Sequence, residues 1–202
     1  AFNDTQGQAL AGHAIREAVR RSGIDPARIE DVVMGCALQQ GSTGFNVARQ
    51  GALWAGLPQS VPGTTLDRQC GSGLMAIAAA ANRIQTGEQD VAVAACVESV
   101  SLVQTPHMND YRTADPKLLA EIPQLYMTML ETAEIVAERY GVSREAQDAY
   151  ALQSQQRTAQ AQREGRMDAE IVPVTTVMKV TDRETGETSD REITIAMDEG
   201  NR

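Results

Sequence analysis

Hydrophobic positions along the chain fall first at helical spacing and then in short runs. Leu10, Ala14, Ile15, Ala18 and Val19 share one helical face and Gly23 follows, which predicts a helix from about Gln6 to Ser22, with Pro26 closing the turn beyond it. Val32 to Ala37 is a compact apolar run suited to a buried strand. Gly41 to Gly44 reads as a loop, Asn46 to Ala55 as a second helix ended by Gly56 and Pro58, and Gly63 to Asp67 as a short strand leading into Cys70. Leu74 to Ala81 is apolar without a break. At roughly 3.6 residues per turn it has no polar side, so a helix there is expected to be buried on every side. Asp90 to Cys96 reads as a strand with Val91, Val93 and Ala95 on one face. This alternation of helices and strands predicts an α/β fold, a mostly parallel sheet covered by helices on both faces, with right-handed crossovers.

The pattern changes after Val103. Gln104 to Leu125 carries three prolines and few apolar runs. Thr128 and Glu131 stand at capping-box spacing ahead of a helix that Gly141 stops, and Ser143 caps another that runs to about Glu164 before Gly165. Ile171 to Thr181 and Arg191 to Ala196 read as strands joined through Thr185 and Gly186 as a hairpin. The shift divides the chain into a core, residues 1–103, and an excursion from that core, residues 104–202.

Charge and composition narrow the function classes. Lys and Arg number 18 against 27 Asp and Glu, a net charge of -9, which leaves no electrostatic footprint for nucleic acid or an anionic membrane. Three cysteines at scattered positions argue against a disulfide framework, and without a Cys-x-x-Cys pair or a His/Cys cluster no metal site is expected. No apolar run approaches a membrane span and no targeting leader is visible, so the location expected is cytoplasmic. The chain opens on Ala1 and closes on loop-like residues, so it is expected to be a piece of something longer.

One constellation carries chemistry: Asp67-Arg68-Gln69-Cys70-Gly71-Ser72-Gly73-Leu74. A strand ends, a cysteine sits at the corner and an apolar helix begins. A helix N-terminus offers partial positive charge and unpaired N–H groups, and both favour a thiolate over a thiol. Gly71 and Gly73 remove side chains beside the sulfur, so a carbonyl could approach, and the N–H groups could stabilise an oxyanion. The local pattern equally fits a buried cysteine at a tight turn. Cys36 and Cys96 lie in apolar runs and are expected to be buried packing. His13, read on the polar side of the first helix, and His107, in the polar excursion, could each act as a base or be structural, and no local motif ties either to Cys70.

These residues resemble the amino-terminal half of a thiolase, the acyl-CoA:acetyl-CoA C-acyltransferase family. Asp67 to Gly73 is similar to the segment around that family's nucleophilic cysteine, Asn46-Val47-Ala48-Arg49-Gln50 to its Asn-x-Ala-Arg-Gln segment, and Glu98-Ser99-Val100-Ser101 to its Glu-Ser-Met-Ser turn. Thr132-Ala133-Glu134, Ser143-Arg144-Glu145 with Gln147 and Asp148, and Glu170-Ile171-Val172-Pro173 resemble the family's loop domain. The sequence departs at Asp67, where many members have asparagine, at Ala95-Cys96-Val97, where many have glycines, and at Leu130, a common glycine. The family's Asn-Glu-Ala-Phe, Gly-His-Pro and Cys-x-Gly-Gly motifs, which carry its histidines and second cysteine, do not occur, nor does the Arg-Thr-Pro of its first strand.

The resemblance implies a thiolase-like fold with a buried central helix, residues 1–103 forming a core incomplete at its start and residues 104–202 part of a truncated loop domain. It implies that Cys70 attacks the keto carbon of a 3-ketoacyl-CoA, releases acetyl-CoA and passes its acyl group to a second CoA, or runs the reverse condensation, with ping-pong kinetics. The Cys70 N–H would help hold the oxyanion, and Met129 aligns with a methionine near the acyl pocket, where ordinary packing is the other reading. CoA and acyl-CoA would be substrates, with no permanently bound cofactor, and a homo-oligomer, dimer or tetramer, is expected. A ketoacyl-synthase-like condensing enzyme and a non-catalytic thiolase-like subunit or fragment are the competing readings. Arg68-Gln69 and the Thr132 to Asp148 block favour the thiolase, and the missing histidines are the ground for the last.

Overall fold

A computed structural model describes residues 1–201 of the chain. They form two compact units, Ala1–Asn109 with Val172–Ala196, and Asp110–Ile171 with the stretch that starts at Met197. The first unit is built on three parallel strands: β1 (Asp31–Gly35) in the middle, β2 (Gly63–Leu66) on one side and β3 (Ala92–Cys96) on the other. Helices α1 (Gly7–Ser22), α2 (Val47–Trp54) and α3 (Ser72–Gln85) connect and cover them, as the alternating pattern predicts. Strands joined in parallel need such crossovers, because a short turn cannot bring the chain back in the same direction.

The side chains of β1 alternate between two cores. Val32 and Met34 enter a large cluster with Ile15 of α1 and Val47 and Ala52 of α2, and Val91, Val93 and Ala95 line its edge. Val33 points the other way, to a small cluster with Ala76 and Ala80 of α3. This period of two places a different helix on each face. The polar anchor at the foot of the sheet is an ion pair, Arg83 of α3 to the buried Asp31 at 2.5 Å.

Helix α3 departs from the expectation of burial on every side. Ser72, Ala76 and Ala80 are its buried positions, while Leu74 and Ile77 are 74% and 56% exposed. Alanines on the inner face let the helix lie close to the sheet, and nothing among the described residues covers the outer one.

A short helix, α4 (Val100–Val103), follows β3. A hairpin of β4 (Val174–Thr181) and β5 (Thr188–Ile195) also belongs to the first unit, and paired hydroxyls of Thr175 and Thr194 (2.8 Å) sit across it. Thr176 of β4 meets the hydroxyl of buried Thr5 at 2.7 Å, and the Asn3 side chain brackets the Lys179 backbone, donating to its carbonyl and accepting from its N–H.

The second unit holds α5 (Pro116–Glu121), α6 (Met129–Tyr140) and α7 (Arg144–Arg163), none with a buried residue. Caps define them. The Thr128 hydroxyl accepts from the Glu131 N–H while the Glu131 carboxylate accepts from the Thr128 N–H, Gly141 ends α6 in left-handed conformation, and Ser143 caps α7.

Candidate active site

Cys70 stands at the corner between β2 and α3, one residue before the helix N-cap at Gly71. The corner is tied by its own atoms. Asp67 Oδ1 accepts from the Gln69 N–H at 2.7 Å, and Ser72 Oγ accepts from the Arg68 N–H at 2.8 Å while donating to the Gln69 carbonyl at 2.6 Å. Gln69 takes φ of 50°, a left-handed conformation that a non-glycine residue adopts only when its surroundings hold it. Cys70 is exposed at the apex.

The N–H groups of Gly71 and Ser72 already donate to the carbonyls of Arg68 and Gln69. They close the turn, which removes them from the oxyanion donors expected at this helix start. The glycines also differ in role. A Cβ on Gly73 would stand 3.0 Å from Cys96 Sγ, so its bareness serves the packing of α3 on β3, whereas a Cβ on Gly71 would meet only the Arg68 carbonyl oxygen, at 3.4 Å. Gly35, at the end of β1, has the tightest demand: a Cβ there would run into the backbone of Ser72 and reach within 2.6 Å of the Gly73 nitrogen. The first turn of α3 rests directly on the central strand, and this contact fixes the height at which Cys70 is presented.

The Asn46 to Gln50 segment braces β2 and the chain that enters it. Asn46, itself at φ of 57°, caps α2, donates to the Gly63 carbonyl at 2.8 Å and accepts from the Thr65 hydroxyl at 2.9 Å. Arg49 donates to the carbonyls of Gln59 and Val61. These polar groups hold the entry and body of β2, the strand that ends at the Cys70 corner, and none lines the cavity beside the cysteine.

That cavity, about 470 Å³, opens at the carboxyl ends of the parallel strands, where open α/β sheets bind ligands. Cys70, Ser72, Gly73 and Leu74 form one wall, and Cys96, Val97, Glu98 and Val100 contribute to the rest. The Glu98 carboxylate accepts from the Ala37 N–H and lies 3.9 Å from Cys36 Sγ, which joins the chain after β3 to the chain after β1. Burial and the neighbouring Glu98 charge push the Cys36 thiol up from its ordinary range.

The three cysteines therefore divide differently from the sequence expectation. Cys36 is buried, as expected, but Cys96 is exposed and lines the same cavity as Cys70. The alternation that places Val91, Val93 and Ala95 on the α1/α2 side puts Cys96 on the α3 side, where Gly73 makes room for it. That parity is legible in the alternation along β3, whereas the tie made by Glu98, 61 residues from Ala37, is not. His13 lies within α1 with its Nε2 shielded from solvent, and His107 is exposed beyond α4; no histidine lines the cavity. Met129, the first residue of α6 in the second unit, is 75% exposed.

A cysteine exposed at a strand-to-helix corner, above the carboxyl edge of a parallel sheet, is an arrangement that can present a thiol to a carbonyl. The chain belongs to the thiolase family: the family description "Thiolase, N-terminal domain" matches residues 1–199. It is 41% identical over 196 residues to a 3-ketoacyl-CoA thiolase of Bacillus subtilis (strain 168), covering 96% of this chain and 49% of that protein. It is 44% identical over 191 residues to a beta-ketoadipyl-CoA thiolase of Escherichia coli, covering 86% of this chain and 47% of that one. The crystal structure of the Bacillus anthracis acetyl-CoA acetyltransferase superposes with a TM-score of 0.78 at 33% identity, over 100% of this chain and 51% of that one. The chain thus spans about half the length of the curated relatives it matches.

Proposed function

We propose that the protein carrying this chain is an acyl-CoA C-acyltransferase, with Cys70 as its nucleophile. The observation that supports this most is the exposed Cys70 on a strained, internally tied corner facing a cavity of about 470 Å³. The thiolate attacks the keto carbon of a 3-ketoacyl-CoA, and the tetrahedral oxyanion forms beside the Cys70 N–H. The carbon–carbon bond breaks, acetyl-CoA leaves after its carbanion takes a proton, and the acyl group stays on sulfur. A second CoA thiolate then accepts that acyl group. The reverse sequence condenses two acyl-CoA molecules. CoA and acyl-CoA enter as substrates, and the reading requires no resident cofactor.

The proton steps need an acid and a base. No histidine lines the cavity, so this chain by itself is proposed to supply the nucleophile and to turn over nothing. We assign residues 104–202 to the loop-domain excursion and the start of the return from it, and Met129 to a substrate-contacting position there. Edge strands β2 and β3 and the bare outer face of α3 favour a homo-oligomer, dimer or tetramer. No helix among the described residues is long and apolar enough to cross a membrane. Three free thiols fit the reducing cytoplasm, the location we propose.

The test is CoA-dependent loss of acetoacetyl-CoA by the intact protein and by its Cys70→Ala variant. Loss of turnover with retained folding is expected, and unchanged turnover in the variant would overturn the assignment. Steady multiple turnover by residues 1–202 alone would overturn the division of labour.

A further inference from the structure

We propose that Cys70 and Cys96 form a dithiol modification site, in which Cys96 captures an oxidised Cys70 as an intramolecular disulfide. The inference rests on the geometry of the first unit and stands apart from the acyl-transfer reading. Both thiols are exposed and both line one cavity, whereas Cys36 is buried. The Cys96 sulfur lies over the first turn of α3: a Cβ on Gly73 would be 3.0 Å from it and 3.2 Å from Cys96 Cβ. Cys70 precedes Gly73 by three residues across that tied turn. Cys70 stands one residue before the N-cap of that helix, and a disulfide needs Cα atoms about 4.4–6.8 Å apart, the separation that cross-linking reads directly. Gly71 and Gly73 add no side chains to the wall that the two thiols share.

The oxidant class is a peroxide. The Cys70 thiolate attacks one peroxide oxygen, the O–O bond breaks, and the departing hydroxide takes a proton to become water, leaving Cys70 as a sulfenic acid. Cys96 sulfur then attacks the sulfenic sulfur; the S–S bond forms, and the hydroxide that leaves takes the Cys96 proton as a second water. Two thiols lose two electrons and one peroxide is reduced to two waters. A dithiol reductant reverses the bond. The device protects Cys70 from the irreversible sulfinic and sulfonic stages, and while the disulfide stands, the Cys70 sulfur can attack nothing.

The experiment treats the full chain with hydrogen peroxide, blocks remaining thiols, and maps peptides by mass spectrometry with and without reduction. A Cys70–Cys96 cross-linked peptide is expected, with Cys36 remaining a thiol and the Cys70 thiol recovered on reduction. In Cys96→Ala, and in Cys96→Ser as a second variant checked for native circular dichroism, the cross-link is lost and Cys70 advances to sulfinic and sulfonic acid that reduction does not restore. Equal over-oxidation of Cys70 in the native chain and the variants would overturn the proposal. So would a cross-link from Cys70 to Cys36 or to a second chain.

Discussion

The two units are held by different physics. In the first, the buried side chains all lie between Thr5 and Val103 and fill both faces of a three-stranded sheet. In the second, α5, α6 and α7 contain no buried residue, and hydrogen bonds at the helix ends define where they start and stop. A core responds to the volume of its side chains; a set of capped helices responds to local polar groups and to pH. The outer face of α3 belongs to the first unit yet behaves like the second, since its large apolar residues are bare. Cys70 sits at the start of that helix, on the side of the sheet where the core is thinnest.

The largest effect is expected where the core is densest. Met34, fully buried on β1 and 3.5 Å from where a Cβ on Gly51 would stand, should on change to alanine destabilise the first unit by about 2–5 kcal/mol, measured by urea unfolding. A loss close to zero would mean that burial is not what separates the two units.

Thr128→Ala should act more weakly and locally, by about 1 kcal/mol, seen as faster amide exchange in the first turns of α6. Its pH response has a definite sign. Hydrogen bonds from the Thr128 N–H and hydroxyl hold the Glu131 carboxyl below the usual carboxylate range. The capping contribution is therefore complete above the ordinary Glu range and is lost as pH falls through the lowered folded value. Protection factors of the α6 amides, taken relative to the intrinsic exchange rate at each pH, should fall on acidification, and less so in Thr128→Ala, which keeps only the N–H bond. An unchanged acid response in the variant would remove the hydroxyl from this account.

Leu74→Ala marks the small end. With 74% of the residue exposed, the change should alter stability by less than about 0.5 kcal/mol in this chain. A core-sized loss would show that the bare face of α3 is covered in solution.

Much of the fold was legible because each element carries a local instruction. The period-two pattern set one face of β3, the apolar run marked β1 as a buried strand, Thr128 with Glu131 set the start of α6, Thr185-Gly186 set the hairpin turn, and Gly141 and Gly165 set helix ends. The burial of α3 departs from its sequence pattern because an apolar run states what a helix can bury, and only its neighbours decide what it does bury. Cys96 departs from its expected burial for a related reason: its apolar neighbours in sequence lie on the opposite face of the strand.

The candidate site shows the same division. The sequence by itself determined the strand–cysteine–helix order, the apolar character of α3, the acidic balance and the family resemblance, all of which follow from residue type and spacing. Tertiary structure alone decided that Gly35 seats the first turn of α3, that Gly71 and Ser72 use their N–H groups to close the turn, and that Glu98 ties the chain after β3 to the chain after β1. It also put Cys70 and Cys96 in one cavity. Apart from the local Gly71–Ser72 turn, these facts depend on segments 26 to 61 residues apart in sequence being packed together, as in the tie from Glu98 to Ala37, and spacing along a chain carries no distance across a sheet.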